Sequence, residues 1–384
     1  MSTLKVNSIQ HSNGTDAVTI DSAGNTSFSG VVTGTPLGNR NLIINGDMRI
    51  AQRGTSTTGL YWNKDNNYPA CDRWKFQHFG SNAYIAQFTG SQDTDVPSGQ
   101  GFDYSMKLAC TTADATLEAD TAVLWAYHWE GQMLQHLAYG TSSAKTMTLS
   151  FWVKSNLTGI FSAELYQFDV NLDFGYEYTI DTANTWEKKT ITIPANTLGV
   201  ITNDNTAGLV LRFNLAFGSN YQGGATVNAW QSRDITDIAP NMTNNIGSST
   251  SNYINITGVQ LEVGEVATPF EHRPYDMELQ RCKRYYYTTY PIGVAPGTVG
   301  AYACQAEYAP PYNGNHVATW QHPVSMRATP TMTGYAEDGT SGSFTTGAGN
   351  QTAQFYQTTS AVITPFASFN GTYLKLLFTA SAEL

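Results

Sequence analysis

The sequence predicts an all-β protein with a small N-terminal β segment, a central jelly-roll sandwich, one short helix and a sandwich-like C-terminal part. Three observations predict it. Charged residues make up 13% of the chain, against roughly 25% in an average soluble domain. Aromatics reach 12%, with 22 Tyr and 34 Gly, and the remainder leans to Thr, Ser and Asn, residues that suit pleated strands and tight turns. No fixed-period repeat runs through the chain, which argues against a solenoid. At 384 residues there is room for two or three cores.

Residues 1–39 read as a small segment with strands at 4–9, 17–20 and 26–32 and a linker at 34–38, punctuated by Asn13-Gly14 and Gly24-Asn25. A piece this small cannot bury Val18, Ile20, Phe28 and Val31 by itself, so these side chains call for partners from other copies. Residues 40–274 read as the sandwich. It opens on an apolar strand at 41–45, and its clearest further strands fall at 105–109, 146–153, 159–166, 189–193, 208–216 and 253–263, with long polar loops between them. A helix is predicted at 275–285 within a connector at 275–287. Met277, Cys282 and Tyr285 recur near helical spacing beside Leu279, behind the first-turn Pro274. Three such helices about an axis would bury Met277, Leu279, Cys282 and Tyr285. Residues 288–384 are again β-like, with loops at 310–311 and 339–349 and a final strand at 372–378.

The formal net charge of −10 and the lack of any Lys/Arg run argue against nucleic-acid binding. Cys71, Cys110, Cys282 and Cys304 show neither CxxC spacing nor a metal pattern and read as small buried side chains made in a reducing cytoplasm. No basic-then-apolar leader and no long apolar span is seen, so neither secretion nor membrane insertion is expected.

No nucleophile elbow, P-loop, HExxH or dinucleotide fingerprint occurs, so no enzyme and no cofactor are expected. His128 and His136 lack a third convergent ligand and read as structural. Asp169, Asp173 and Glu177 would serve a glycosidase only at a defined separation across a groove. Loop carboxylates such as Asp47 and Glu262 are of the kind calcium takes, but the Dx[DN]xDG pattern that marks a calcium loop is missing.

Binding suits the composition better, because sugar C–H faces stack on aromatic rings while amides and carboxylates bond the hydroxyls. Candidates in the body are Tyr61, Trp62, Tyr166, Tyr176, Tyr178, Tyr221 and Trp230, whereas Trp74, Trp152 and Trp186 lie in strand-like motifs and read as core. Distal candidates are Tyr308, Tyr312, Trp320, Tyr335, Phe355 and Tyr356.

NLIINGDMR at 41–49, DRW at 72–74, TLSFWVKS at 148–155 and TWEKKTITIP at 185–194 resemble one group of marine, cyanophage-type tail fibre proteins. The most specific part is ITGVQLEVGEVATPFEHRP at 256–274 followed by ELQRCKRYY at 278–286, and LKVNSI at 4–9 and SAEL at 381–384 add to it. The resemblance implies a homotrimeric virion protein, synthesised in the host cytoplasm. Its N-terminus would sit on a tail adaptor or baseplate protein, and its outer domains would recognise host surface polysaccharide or lipopolysaccharide. The central block also resembles carbohydrate-binding-module jelly rolls, which implies glycan binding. Rival readings are a trimeric tail-associated glycan depolymerase and a secreted bacterial carbohydrate-binding module. Within the fibre reading, residues 286–384 are the expected receptor-binding tip, because they lie farthest from the attachment end.

Overall fold

The computed structural model describes residues 6, 8–10, 16–20, 22, 26–28, 38–62, 68–80, 82–223, 227–300, 305–307, 315–317, 319–356, 358–368 and 373–384. The chain forms two compact units, Met1–Arg40 and Asn41–Leu384. In the first, strands β1 (Ser8–Gln10), β2 (Asp16–Ile20) and β3 (Thr26–Phe28) make an antiparallel sheet in sequential order. Val18 pairs in register with Phe28, and the Val18 and Ile20 side chains are half-buried. Val6, expected in the first strand, is exposed and lies outside it, and the other positions expected in strands here, with the Phe28 and Val31 side chains, lie outside the described residues.

The second unit begins with β4 (Ser56–Leu60), β5 (Lys75–Phe79), β6 (Gln87–Asp93), β7 (Ser105–Thr112), β8 (Ala122–Glu130) and β9 (Met147–Ser155). It continues through β10 (Gly159–Gln167), β11 (Leu172–Ile180), β12 (Glu187–Ile193), β13 (Ala207–Phe217), β14 (Trp230–Ser232) and β15 (Tyr253–Val263). They form two six-stranded antiparallel sheets, ordered β14-β11-β10-β13-β8-β5 and β12-β9-β15-β7-β6-β4. Period-2 alternation sends one side of each strand inward. Met147, Leu149, Phe151 and Val153 of β9 meet Phe161, Tyr178 and Phe213 from the other sheet in one continuous core. Trp74 is buried there against Tyr127 and Phe213, at ring distances of 5.2 and 6.2 Å. Each such side chain contributes roughly 1.5–3 kcal/mol by leaving water.

The apolar run at 41–45, expected as a strand, is no strand. It threads through the core, and side chains take up most of its backbone groups. Ile44 N donates to Tyr127 Oη at 2.8 Å, while Leu42 O accepts from Trp129 Nε1 at 2.8 Å and Asn45 O from Trp74 Nε1 at 3.0 Å. Asn45 then closes the turn, its amide spanning Ile50 and Asp72.

Helix α1 (Tyr275–Lys283) follows Pro274, with Asp276 and Glu278 in its first turn and Arg281 and Lys283 in its last, as the helix dipole favours. Its inner face is covered by the same chain. Cys282 is fully buried, Leu279 packs on the sandwich core, and Glu278 takes Arg273 at 3.2 Å and the backbone N–H of Asn45. Tyr285, just past the helix, is buried with its hydroxyl 2.6 Å from Glu130 and the Arg73 guanidinium 3.4 Å from its ring centroid. Cys282 and Tyr285 therefore do not form a surface for other copies, contrary to the expectation from spacing. Met277, 44% exposed, remains on the outer face.

The last part holds β16 (Tyr286–Thr288), β17 (Gln305–Glu307), β18 (Asn315–Val317), β19 (Trp320–Gln321) and β20 (Thr331–Tyr335). After these come β21 (Ser343–Thr346), β22 (Gly349–Thr352), β23 (Gln354–Tyr356), β24 (Val362–Ser368) and β25 (Leu374–Ser381). β25 is the organiser, pairing with β16, β17, β20 and β21, while β18, β19 and β23 pair with β24. A separate core gathers Phe344, Ile363, Leu374, Leu376 and Phe378. The stretch 339–349, expected as loop, carries β21 and the start of a hairpin to β22. Glu383 then returns to the sandwich, where its carboxylate meets Arg53 at 3.0 Å and the buried Arg73.

Candidate functional site

The same alternation that buries Phe151 and Val153 turns Ser150, Trp152 and Lys154 of β9 to the outer face of their sheet. Lys188 of β12 pairs across from Trp152, and Thr257 of β15 flanks it on the other side. Between Thr257 and Gln260 the β15 ladder shifts register, and this bulge holds Gly258 at a φ of +61°. A side chain there would collide, since a Cβ would lie 2.5 Å from Phe102 Cζ and 3.1 Å from Trp152 Cδ1. Glycine thus lets two rings close over bare backbone.

Two loop segments complete a groove of about 200 Å³, lined by Gln100, Phe102, Ser150, Trp152, Lys188, Pro269, Phe270 and His272. Phe102, Phe270 and His272 form a mutually edge-on or tilted triad at 4.9–5.3 Å. The Phe270 segment is pinned from below. Thr268 donates its N–H and hydroxyl to Glu262 at 2.9 and 2.7 Å, and Glu271 N donates to Gln260 Oε1 at 2.8 Å. The Phe102 segment is held by Thr257 Oγ1 donating to Tyr104 O at 2.7 Å. Beside the groove, Asp95 accepts from Trp186 Nε1 at 3.0 Å and Lys154 Nζ at 2.7 Å. Apolar rings around a few fixed polar groups suit a ligand that is amphipathic face by face.

This groove was not singled out from the sequence. Trp152 and Trp186, expected in the core, are half-exposed, whereas Trp74 is core as expected. A period-2 reading of TLSFWVKS, with Phe151 and Val153 inward, points Trp152 outward. Phe270 and His272 lie in the TPFEHRP run, but nothing local brings them to Phe102.

The sequence-named aromatics are scattered. Tyr176 and Tyr178 sit in the sandwich core, where burial pushes the Tyr176 phenol well up, so neither ring is offered to a ligand. Tyr221 is also buried, its hydroxyl 2.9 Å from Asp120 O. Trp230 is half-buried and donates to Pro194 O at 2.8 Å, and Trp62 donates to Gly80 O at 2.7 Å. Tyr61 is exposed, while Tyr166 lies beneath Arg212 and Arg233 at 5.2 and 4.6 Å. In the distal part Trp320 and Phe355 pack on Phe378 at 5.5 and 6.2 Å, and Tyr335 meets Tyr290 edge-on at 5.9 Å. Tyr356 is exposed and stacked on Phe366 at 4.1 Å. Tyr308 and Tyr312 lie outside the described residues.

The carboxylates Asp169, Asp173 and Glu177 sit in different surroundings. Asp169 accepts from Thr202 N in an exposed turn, and Glu177 accepts from Asn241 Nδ2. Asp173 is buried on the other sheet, where burial and then the Glu164 charge push it up to about 6. Glu164 is engaged by Arg212 and Arg233 at 2.7 and 2.6 Å. Burial, and then Lys75, Arg212 and Arg73, hold the His128 imidazole well below its usual range. Asp47 pairs with Arg49 at 3.3 Å, and among the described residues no group of three or more His, Cys, Asp or Glu is placed to hold a metal. Among them, too, no helix is long and apolar enough to cross a membrane.

No protein-family model matches the sequence, and no curated protein matches it. Among solved structures the chain has distant similarity to the enzymatically active domain of tailspike protein 4 of bacteriophage CBA120. The TM-score is 0.30 at 14% identity, covering 59% of this chain and 22% of that one. It is similar at TM-score 0.28 and 12% identity to a CBM4 structure, covering 57% and 98%. The family 11 carbohydrate-binding module of the Clostridium thermocellum cellulase Lic26A-Cel5E gives 0.27 and 12%, covering 58% and 99%. At scores this low the likeness carries no inference about ligand or activity.

Proposed function

We propose that the protein is a non-enzymatic adhesin, a homotrimeric phage tail fibre attached to a tail adaptor or baseplate by its N-terminal unit, that binds host-surface glycan. The observation that carries the binding reading is the groove in which Trp152 and the Phe102–Phe270–His272 triad face Gln100, Ser150 and Lys188. Rings offer flat apolar platforms to sugar C–H faces, and the polar rim offers donors and acceptors to hydroxyls. The fibre reading is supported by the motif resemblance at 41–286.

The groove lies in the sandwich, whereas Trp320 and Phe355 of the distal part are engaged in packing, which favours the sandwich as the glycan-reading part. The test is retention on purified host-envelope polysaccharide. Wild-type protein should be retained and Trp152→Ala should not, with no reducing sugar released over hours. Sugar release would favour the depolymerase reading, and equal retention of both proteins would move binding away from the groove.

A further inference from the structure

We infer that the groove takes an anionic sugar residue, one bearing a carboxylate or a sulfate ester, and that Lys188 reads its charge. The inference rests on the glycan-binding reading and adds the ligand class. In a chain of net charge −10, the lining of this groove contains no Asp or Glu, and its ionisable groups are Lys188 and His272.

The acids around the groove are already engaged. Asp95 holds Lys154 at 2.7 Å. Glu262 is buried and takes two donors from Thr268 and one from Gln260. Glu271 accepts from Asn41 N at 2.8 Å and pairs with Arg273 at 3.3 Å, and Asp47 and the exposed Asp103 share Arg49 at 3.3 and 2.9 Å. Lys188 has no ion pair among the described residues and stands opposite Trp152 in the β12–β9 register.

A lone ammonium at an aromatic wall gains little from a neutral glycan, which would shed part of its water without returning charge. A carboxylate or sulfate seated beside the indole returns that charge at an exposed lysine, a solvent-facing pair worth about 1 kcal/mol or less and weakened by salt. Lysine acts as a point charge without the bidentate geometry of arginine, so it does not choose between the two anions.

Calorimetric titration of the full chain tests this with three oligosaccharides of equal length: oligogalacturonate, a sulfated carrageenan oligomer and a neutral cello-oligosaccharide. Wild-type protein is expected to bind at least one anionic ligand about threefold or more tighter than the neutral one, with affinity falling as salt rises. Lys188→Gln should bring that ratio close to one at an unchanged melting temperature, while Lys188→Arg keeps it. Trp152→Ala should weaken the preferred ligand. Equal, Trp152-dependent binding of all three would overturn the anion assignment and leave the groove reading standing. An anionic preference that survives Lys188→Gln would also overturn it. No Trp152-dependent binding of any ligand would sink the groove reading and this inference with it.

Discussion

Gly258 lies beneath Phe102 so closely that a methyl group on its Cα would come within 2.5 Å of the ring's Cζ. The residue sits in the left-handed region at the β15 bulge, so any side chain there is strained as well as crowded. Gly258→Ala should cost about 1–3 kcal/mol of stability and push Phe102 off the groove. Denaturant unfolding measures the first effect and glycan titration the second. Intact affinity at lowered stability would show that the rings do not form the binding surface.

Trp152 behaves oppositely, because its ring stands outside the core. Trp152→Ala should change the melting temperature little and weaken glycan binding about tenfold, the scale of one lost aromatic contact of roughly 1 kcal/mol or a little more. Phe151→Ala, one residue away on the inner face, should cost about 3–5 kcal/mol of stability. The pair separates binding from folding on a single strand.

Glu383 is the counter-ion of two guanidiniums, Arg53 and the buried Arg73. Glu383→Ala leaves the buried Arg73 without its carboxylate, while Arg53 keeps only Asp72 at 3.6 Å, and should destabilise the chain by about 3–5 kcal/mol. Chemical denaturation of the full chain checks the loss. A change below about 1 kcal/mol, the size of a surface pair, would show that Glu383 is not holding the terminal segment in place.

Asp173 sets a pH dependence of known sign. Burial first, and the Glu164 charge second, raise its pKa from 3.8 to about 6, and its Oδ1 has no hydrogen-bond partner among the described residues. The folded state thus holds this proton more tightly than the unfolded chain, so the Asp173 contribution is fully present below about pH 4 and is lost as pH rises through about 6. Asp173→Asn should remove that loss and raise stability at neutral pH relative to wild type. Urea unfolding between pH 4 and 8 reads both slopes, and parallel profiles would refute the assignment.

The proposed trimer draws a different prediction from helix α1. Met277 is the exposed member of the expected apolar face, while Cys282 is enclosed by its own chain. Met277→Glu should lower the mass seen by light scattering at micromolar concentration. Cys282→Ser should leave the mass alone and cost about 1–3 kcal/mol by burying a hydroxyl. A monomeric wild type would refute the trimer.

Strands β9, β10, β13 and β15 were legible because inward aliphatics recur every second residue over long runs, as in Met147, Leu149, Phe151 and Val153. β21 was not, because its Ser and Thr are common to strands and loops, and only pairing with β22 and β25 makes the run a strand. The apolar string at 41–45 misled for the converse reason. Its Ile and Leu are buried as strand residues would be, yet its backbone bonds to side chains of Tyr127, Trp129 and Trp74 instead of a ladder.

The sequence by itself determined the all-β class, the positions of the main sandwich strands and the low charge outside any nucleic-acid-binding pattern. These follow from composition and from a period of two, which are local properties. The tertiary structure decided which aromatics meet solvent. Tyr176 and Tyr221 went into the core, Trp152 came out of it, and Phe102, Phe270 and His272 met across about 170 residues of chain, a separation that alternation along a strand cannot reach. Burial is a relation between elements, set here by the facing sheet, the bulge at Gly258 and the Thr268–Glu262 pin.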